Sequence, residues 1–118
     1  MSSPSFSFFD FLKQKNIDYT TQTHNNLTIY IFDHIIPHGK YGGTSVTIGL
    51  PIPSDFDTNP PYGMHIKKNH GIDGNIKAPT ASVLGTEWEF WSRQVNNWAS
   101  ATNKPQYYLD HVNRWLER

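Results

Sequence analysis

The sequence predicts an α+β fold in which helices cover one face of an antiparallel sheet. A short helical pattern comes first, alternating strand patterns follow, and the C-terminal part carries large apolar side chains at helical spacing. That order is typical of α+β proteins and differs from the regular alternation of strands and helices in parallel-sheet proteins. With 118 residues, 36% of them hydrophobic, the chain has the size and composition of one domain with one core. We therefore expect a single domain over residues 1–118.

The first half of the chain predicts one helix and a meander of strands. A helix over Phe6–Lys15 follows from apolar residues at helical spacing, and Asn16 ends it. The meander covers Tyr19–Leu50, where the Asn25–Asn26 turn joins two strands into a hairpin. A third strand shows alternating apolar residues and should end at Pro51 and Pro53: Val46, Ile48 and Leu50.

The second half predicts one more strand, an irregular stretch and two helices. Pro51–Pro61 holds four of the eight prolines and should form an irregular flap, followed by a fourth strand over Tyr62–Ile66. Lys67–Gly85 shows no periodicity. The spacing of Trp88, Trp91 and Val95 predicts a helix, and a last helix should begin near Pro105 and carry a second apolar series: Tyr108, Val112, Trp115 and Leu116.

Charge and hydropathy exclude two classes of partner. Ten basic residues balance ten acidic ones, and the longest basic run is the pair Lys67–Lys68. Because a nucleic-acid-binding domain carries a clustered basic surface, we expect no nucleic acid partner. Met1–Phe9 lacks the basic and apolar regions of a signal peptide, and no apolar run reaches membrane-spanning length. We therefore expect a cytoplasmic protein with no membrane partner.

The window from Asn69 to Lys77 resembles the active-site stretch of ubiquitin-conjugating enzymes. It reads Asn-His-Gly-Ile-Asp-Gly-Asn-Ile-Lys. In those enzymes an asparagine and then Gly-x-Ile lead into the cysteine that carries ubiquitin. Asn69, Gly74 and Ile76 stand at that spacing, but the position of the cysteine holds Lys77, and the chain contains no cysteine at all.

A second resemblance is more specific. Trp88–Gln94 reads Trp-Glu-Phe-Trp-Ser-Arg-Gln, and with Trp98 it resembles the Trp-x-x-Trp-Ser-Arg-His signature of a bacterial conjugating-enzyme-like family, with Gln94 in place of the histidine. The resemblance covers nearly the whole chain and implies a ubiquitin-conjugating (UBC-like) fold. It also implies a bacterial ubiquitin-like modification system, with a ubiquitin-like protein and an activating enzyme as partners and no cofactor. Arg93 and Gln94 become candidates for a binding contact.

The exchange of cysteine for Lys77 removes thioester chemistry. A thioester needs a thiolate nucleophile that is also a good leaving group. A lysine amine, with an ordinary pKa near ~10.4, is protonated at neutral pH, and a deprotonated amine would give a stable isopeptide. By resemblance, Asn69 would support the oxyanion formed when a substrate lysine attacks. Without a thioester, Asn69 has no such intermediate to stabilise, and a loop asparagine also bonds its own backbone.

Three functional interpretations follow. With Lys77 native, the protein is a non-catalytic adaptor or a scaffold that binds a ubiquitin-like protein. With a cysteine natively at position 77, it is an active conjugating enzyme in a trapped form. The third is an unrelated aromatic-rich ligand-binding domain that uses exposed tryptophans, although helical spacing favours Trp88, Trp91 and Trp115 as core residues.

The remaining candidate side chains give weaker signals. His34 and His38 lie four residues apart, but Pro37 prevents a helix there, so the zinc-protease pattern is missing and no metal site is expected. Ser82 lacks a recognisable base at a defined spacing, which argues against a serine hydrolase. His70 neighbours Asn69 and can titrate near neutrality, so it is a candidate binding residue.

Overall fold

The structure, a computed structural model, describes residues 8–56, 58–68, 70–72 and 79–117. Two α-helices, α1 (Phe8–Gln14) and α2 (Lys104–Glu117), accompany six strands and a 3-10 turn. The strands and the turn have these bounds: β1 Thr20–His24, β2 Leu27–Ile35, β3 Ser45–Pro53, β4 Gly63–Lys67, β5 Thr80–Ala81, β6 Trp88–Ser92 and the 3-10 turn Trp98–Ser100. All strand pairs are antiparallel. The predicted α+β class is confirmed.

The sheet is larger than the four-stranded meander that the sequence predicts. Its strand order is β1-β2-β3-β4-β6-β5, so the first four strands are neighbours in chain order and two further strands extend the sheet beyond β4. β5 lies inside Lys67–Gly85, which had been predicted to be irregular. Its two residues are too few to show periodicity in the sequence.

The predicted helix at Trp88–Val95 is wrong, because Trp88–Ser92 forms strand β6. β6 pairs with all five residues of β4, from Gly63 opposite Ser92 to Lys67 opposite Trp88. Aromatic side chains favour a half-buried pleated surface, and the strand pairing outweighs the three-residue spacing of the two tryptophans. In a strand, that spacing places them on opposite faces: Trp91 is fully buried and Trp88 half-buried.

The predicted end of the third strand is also too early, because β3 continues through Pro51 to Pro53. Pro51 stands opposite Ile29 of β2, whereas β4 pairs only with Ile48 and Gly49 of β3. Among the described residues, this part of β3 therefore has a strand partner on one side only. A proline, which lacks an N–H donor, is tolerated at such an edge.

The turn predictions are confirmed by backbone geometry. Asn16 and Asn25 both have φ of 56°, the left-handed conformation that asparagine tolerates better than most residues. Asn16 follows the end of α1, and Asn25 begins the two-residue turn between β1 and β2. Residues 6 and 7 of the predicted first helix lie outside the described residues, and α1 is described from Phe8.

The main core lies between one face of the sheet and the two helices. Phe8, Phe11 and Leu12 of α1 meet the sheet and α2 in one cluster of buried side chains. Two buried polar groups at this interface are satisfied: Tyr108 of α2 donates to the carbonyl of Gly63 at 2.6 Å, and the Trp98 indole donates to that of Phe56 at 2.8 Å. No α-helix within the described ranges is long and apolar enough to cross a membrane.

The tryptophans are mainly core residues. Trp91 and Trp98 are buried, and Trp115 packs against the core while partly exposed. An aromatic platform of the kind that the third interpretation requires would instead present indole faces to solvent. The burial of Trp91 and Trp98 opposes that interpretation.

Candidate functional site

The structure describes three of the five site residues proposed from the sequence. Asn69 and Lys77 lie outside the described residues. His70 belongs to the same window and is described, as are Arg93 and Gln94. His70 shows which part of the fold contacts the beginning of the window, and Arg93 and Gln94 show the surroundings of the tryptophan motif.

His70 is a buried side chain and not the solvated loop histidine that its sequence context suggests. Its side chain is 5% exposed and that of Glu89 is 13% exposed. The His70 Nε2 lies 3.3 Å from the Glu89 Oε2, and the backbone N–H of Ile72 donates to Nδ1 at 2.8 Å. Because Nδ1 accepts a hydrogen bond, the proton of the neutral ring is on Nε2, which donates to Glu89.

Glu89 joins this histidine to the tryptophan motif. The same Oε2 atom of Glu89 also accepts a hydrogen bond from the Trp91 indole Nε1 at 2.7 Å. The His70 and Trp91 rings meet edge to face, with centroids 5.7 Å apart. We call His70, Glu89 and Trp91 the inner node. It connects His70, near the start of the Asn69–Lys77 window, to β6.

Sequence reasoning missed Glu89 because it assigned this segment to a helix. Residues two apart in a helix point in different directions, whereas in a strand they share a face. As a strand, the sequence Trp-Glu-Phe-Trp places Glu89 and Trp91 on the same face. A period-two reading of this aromatic segment would have identified the pair.

Arg93 and Gln94 differ in their surroundings. The Arg93 guanidinium carbon lies 5.8 Å from the centre of the Trp91 ring, and Arg93 Nη1 donates to the carbonyl of Ser92 at 2.7 Å. Partial burial lowers the pKa of Arg93, although a guanidinium remains charged at neutral pH. Gln94 is exposed. Arg93 therefore borders the inner node, and Gln94 is the more accessible of the two for a partner.

A second feature lies on the sheet face opposite the helices. A cavity of about 230 Å³ opens there, beside the turn that joins β1 to β2. It has mainly apolar walls, and the described residues of its lining include no Asp, Glu, Lys or Arg: His24, Asn25, Leu27, Ile29, Pro51, Tyr62, His65, Ala81, Val83 and Phe90. We call it the outer cavity. Tyr62 and Val83 on its wall are 59% and 61% exposed.

Ser82 and His65 hold the segment after β5 against this face. The Ser82 Oγ lies 2.8 Å from the His65 Nδ1 and accepts the backbone N–H of Leu84 at 3.0 Å. Leu84 then lies over Gly49, where a Cβ atom would come within 3.0 Å of its Cδ1 atom. The absent side chain at position 49 is what lets the turn approach the sheet.

The structure thus supplies the base that the sequence did not reveal for Ser82. Burial, and secondarily the nearby His24, lowers the pKa of His65 to about 4, so its imidazole is neutral at physiological pH. A base of such low pKa withdraws a hydroxyl proton weakly. The Ser82 oxygen is also engaged by Leu84, so the pair serves to fix the turn rather than to activate a nucleophile.

The other histidines have separate partners. His34 Nε2 lies 2.6 Å from the Asn113 Oδ1, and His38 Nδ1 lies 2.5 Å from a Glu117 carboxylate oxygen. Among the residues that the structure describes, no group of three or more His, Cys, Asp or Glu side chains is placed to hold a metal ion.

Comparison with known protein families gives a match. The model of a family described as "Prokaryotic E2 family E" matches residues 9–118, which includes both sheet faces and the two sequence motifs. Comparison with curated proteins gives no match, and comparison with solved structures gives none either.

Removing the carboxylate of the inner node should destabilise the protein. In Glu89→Leu the donors of His70 and Trp91 lose their acceptor, and we expect a loss of about 3 kcal/mol in the free energy of unfolding, against about 1 kcal/mol for Glu89→Gln, which retains an acceptor oxygen. Urea denaturation measures the loss, and the NMR shift of the Trp91 indole proton reports the broken bond. Glu87→Leu, at an exposed glutamate two residues away, is the control. Equal stability of Glu87→Leu and Glu89→Leu would contradict a stabilising role for the hydrogen bonds that Glu89 accepts.

The His65 environment should make stability depend on pH. Between pH 6.5 and about 4 the unfolded chain binds a proton at His65 that the folded chain does not, so stability falls as the pH decreases and levels off below about 4. We expect this histidine to account for about 3 kcal/mol of the decrease, because its pKa falls from 6.5 to about 4 on folding. Urea titrations of the parent and of His65→Gln across this range isolate the effect. An equally steep decrease in His65→Gln would show that His65 is not responsible.

Proposed function

This chain belongs to prokaryotic E2 family E, and we propose that it is a conjugating-enzyme-like scaffold of a bacterial ubiquitin-like modification system that binds its partners without forming a thioester. The observation that carries the proposal is chemical. The residues matched by the family contain no cysteine, and Lys77 stands where the window resembling the active site ends. Family membership also supports the UBC-like fold.

The lack of a thiol limits the activity but leaves the binding surfaces in place. Transfer through an enzyme-bound thioester needs a sulfur nucleophile, and neither Lys77 nor Ser82 replaces it. A lysine acylated by a ubiquitin-like C-terminus would hold the modifier through a stable amide and could not pass it on. The reaction therefore has to be carried out by a partner, while this chain supplies a surface that brings components together.

The outer cavity is the surface best suited to the ubiquitin-like partner. Its apolar walls and the exposed side chains of Tyr62 and Val83 form a pocket with an accessible rim. Interfaces gain much of their affinity from anchors that fill such pockets, and the part of the lining that the structure describes has no Asp, Glu, Lys or Arg that would have to be desolvated. The activating enzyme would meet another surface, for which Gln94 and Arg93 beside the inner node are the candidates.

The inner node holds the chain in place at the start of the window. His70 is held through both ring nitrogens, one by Glu89 and one by the backbone of Ile72. A buried, fully paired side chain at this point fixes where the chain enters the window. Such a loop support is useful for presenting Asn69 and Lys77 to a partner, and equally useful for a cysteine at position 77.

The alternative is therefore an active conjugating enzyme whose native residue at position 77 is cysteine, with Lys77 giving a trapped form. The same scaffold, inner node and partner surfaces serve both interpretations. The residue at position 77 decides between them, since a cysteine there would provide the nucleophile and the leaving group together.

The scaffold interpretation predicts non-covalent binding of a ubiquitin-like protein from the same modification system. Val83→Arg and Tyr62→Arg should each weaken that binding at least about tenfold, because they place a charge in an apolar contact. Calorimetric titration measures the affinity. Phe9→Arg, at a 43% exposed aromatic residue on α1, is the matched control and should bind like the parent. A parent protein that binds neither the ubiquitin-like protein nor the activating enzyme would disprove the scaffold.

The enzyme interpretation predicts that Lys77→Cys forms a covalent adduct when the ubiquitin-like protein, its activating enzyme and ATP are supplied. The adduct should run as a larger species on a non-reducing gel and disappear with a thiol reductant, because a thioester is cleaved by thiols whereas an isopeptide is not. Lys77→Ser is the control, since an oxyester resists the reductant. Failure of Lys77→Cys to form an adduct, despite normal binding of the partner, would count against a carrier role.

A further inference from the structure

The two edges of the sheet are unequal. β5 closes one edge with only two residues, whereas β1 closes the other with five and pairs with β2 along its whole length. No strand among the described residues pairs with the outer side of β1. Thr20 through Thr23 are exposed, and His24 is partly exposed. β1 therefore presents its free backbone groups along a strand of ordinary length.

β1 lacks the features that prevent edge strands from pairing. Its sequence Thr-Thr-Gln-Thr-His contains no charged Lys, Arg, Asp or Glu, no proline and no glycine. Its register with β2 is uninterrupted from Thr20 opposite Ile31 to His24 opposite Leu27, so no bulge twists the edge away. Natural sheets protect exposed edges with charges, prolines or bulges. Threonine also has a high strand propensity.

We infer that β1 is a self-association surface, which pairs antiparallel with β1 of a second copy of this chain. Charge does not oppose a second copy, because ten basic and ten acidic residues give a formal net charge of zero and leave no overall repulsion between copies. The strand is also complementary to itself. With Gln22 opposite Gln22, Thr21 stands opposite Thr23 and Thr20 opposite His24, and threonine pairs across strands are favourable.

The pairing would produce one continuous sheet of twelve strands from two sheets of six. A two-fold axis perpendicular to the sheet relates antiparallel neighbours, so the two outer cavities would open on the same face, with their β1–β2 turns near the shared seam. A pairing of five residues buries less than the ~1,200 Å² of stable interfaces. We therefore expect weak association that adds avidity when partners are bound.

Sedimentation velocity of the full chain between about 10 µM and about 1 mM tests the association. The parent should show a sedimentation coefficient that rises with concentration. Gln22→Lys and Gln22→Glu should each associate about fivefold more weakly, since like charges then face each other at the two-fold axis. An equimolar mixture of the two variants should recover the association of the parent, because lysine then faces glutamate.

The mixture separates this geometry from a general effect of charge. Gln14→Lys, at an exposed glutamine at the end of α1, should associate like the parent. A parent that stays monomeric throughout the range would overturn the inference, and would leave the edge available only to strands of other proteins. A mixture no stronger than either variant alone would overturn the register centred on Gln22. Neither result depends on whether the chain binds a ubiquitin-like protein.

Discussion

The pairing of β6 with β4 is the constraint on which both candidate sites depend. It places Trp91 in the main core and Phe90 against His65 on the opposite face, with ring centroids 4.7 Å apart. The alternation of the strand then directs Glu89 to His70 on the helix side. One five-residue strand thus supports a loop anchor on one face and a cavity wall on the other.

The sequence was sufficient for features that depend on local chemistry and insufficient for those that depend on pairing. The α1 helix, the Asn25 turn and the α+β class follow from periodicity and turn preference. Strand β6 does not, because two tryptophans three residues apart fit a helix until β4 is present. The His65–Ser82 contact joins residues 17 positions apart, and no local pattern signals it. The motifs were sufficient to predict a bacterial conjugating-enzyme-like family. The contacts of Glu89 with His70 and Trp91 could be identified only from the structure.

The position that would carry the chemistry and the residues that hold His70 are different in this protein. A conjugating enzyme needs both a shaped loop and a thiol, and this chain contains no thiol. The His70 side chain is held by hydrogen bonds to Glu89 and to the backbone of Ile72.

Gly49 shows how the outer face could diverge without disturbing the inner one. Leu84 and Ile29 close over the space where a side chain at position 49 would lie. A Cβ atom there would lie 3.0 Å from the Leu84 Cδ1 atom and 3.1 Å from the Ile29 Cγ2 atom, so these side chains would have to give way, while Trp91 and Glu89 face the other side of the sheet. A substitution at this position would therefore act on the side chains around the outer cavity, on the face away from the contacts of Glu89 with His70 and Trp91.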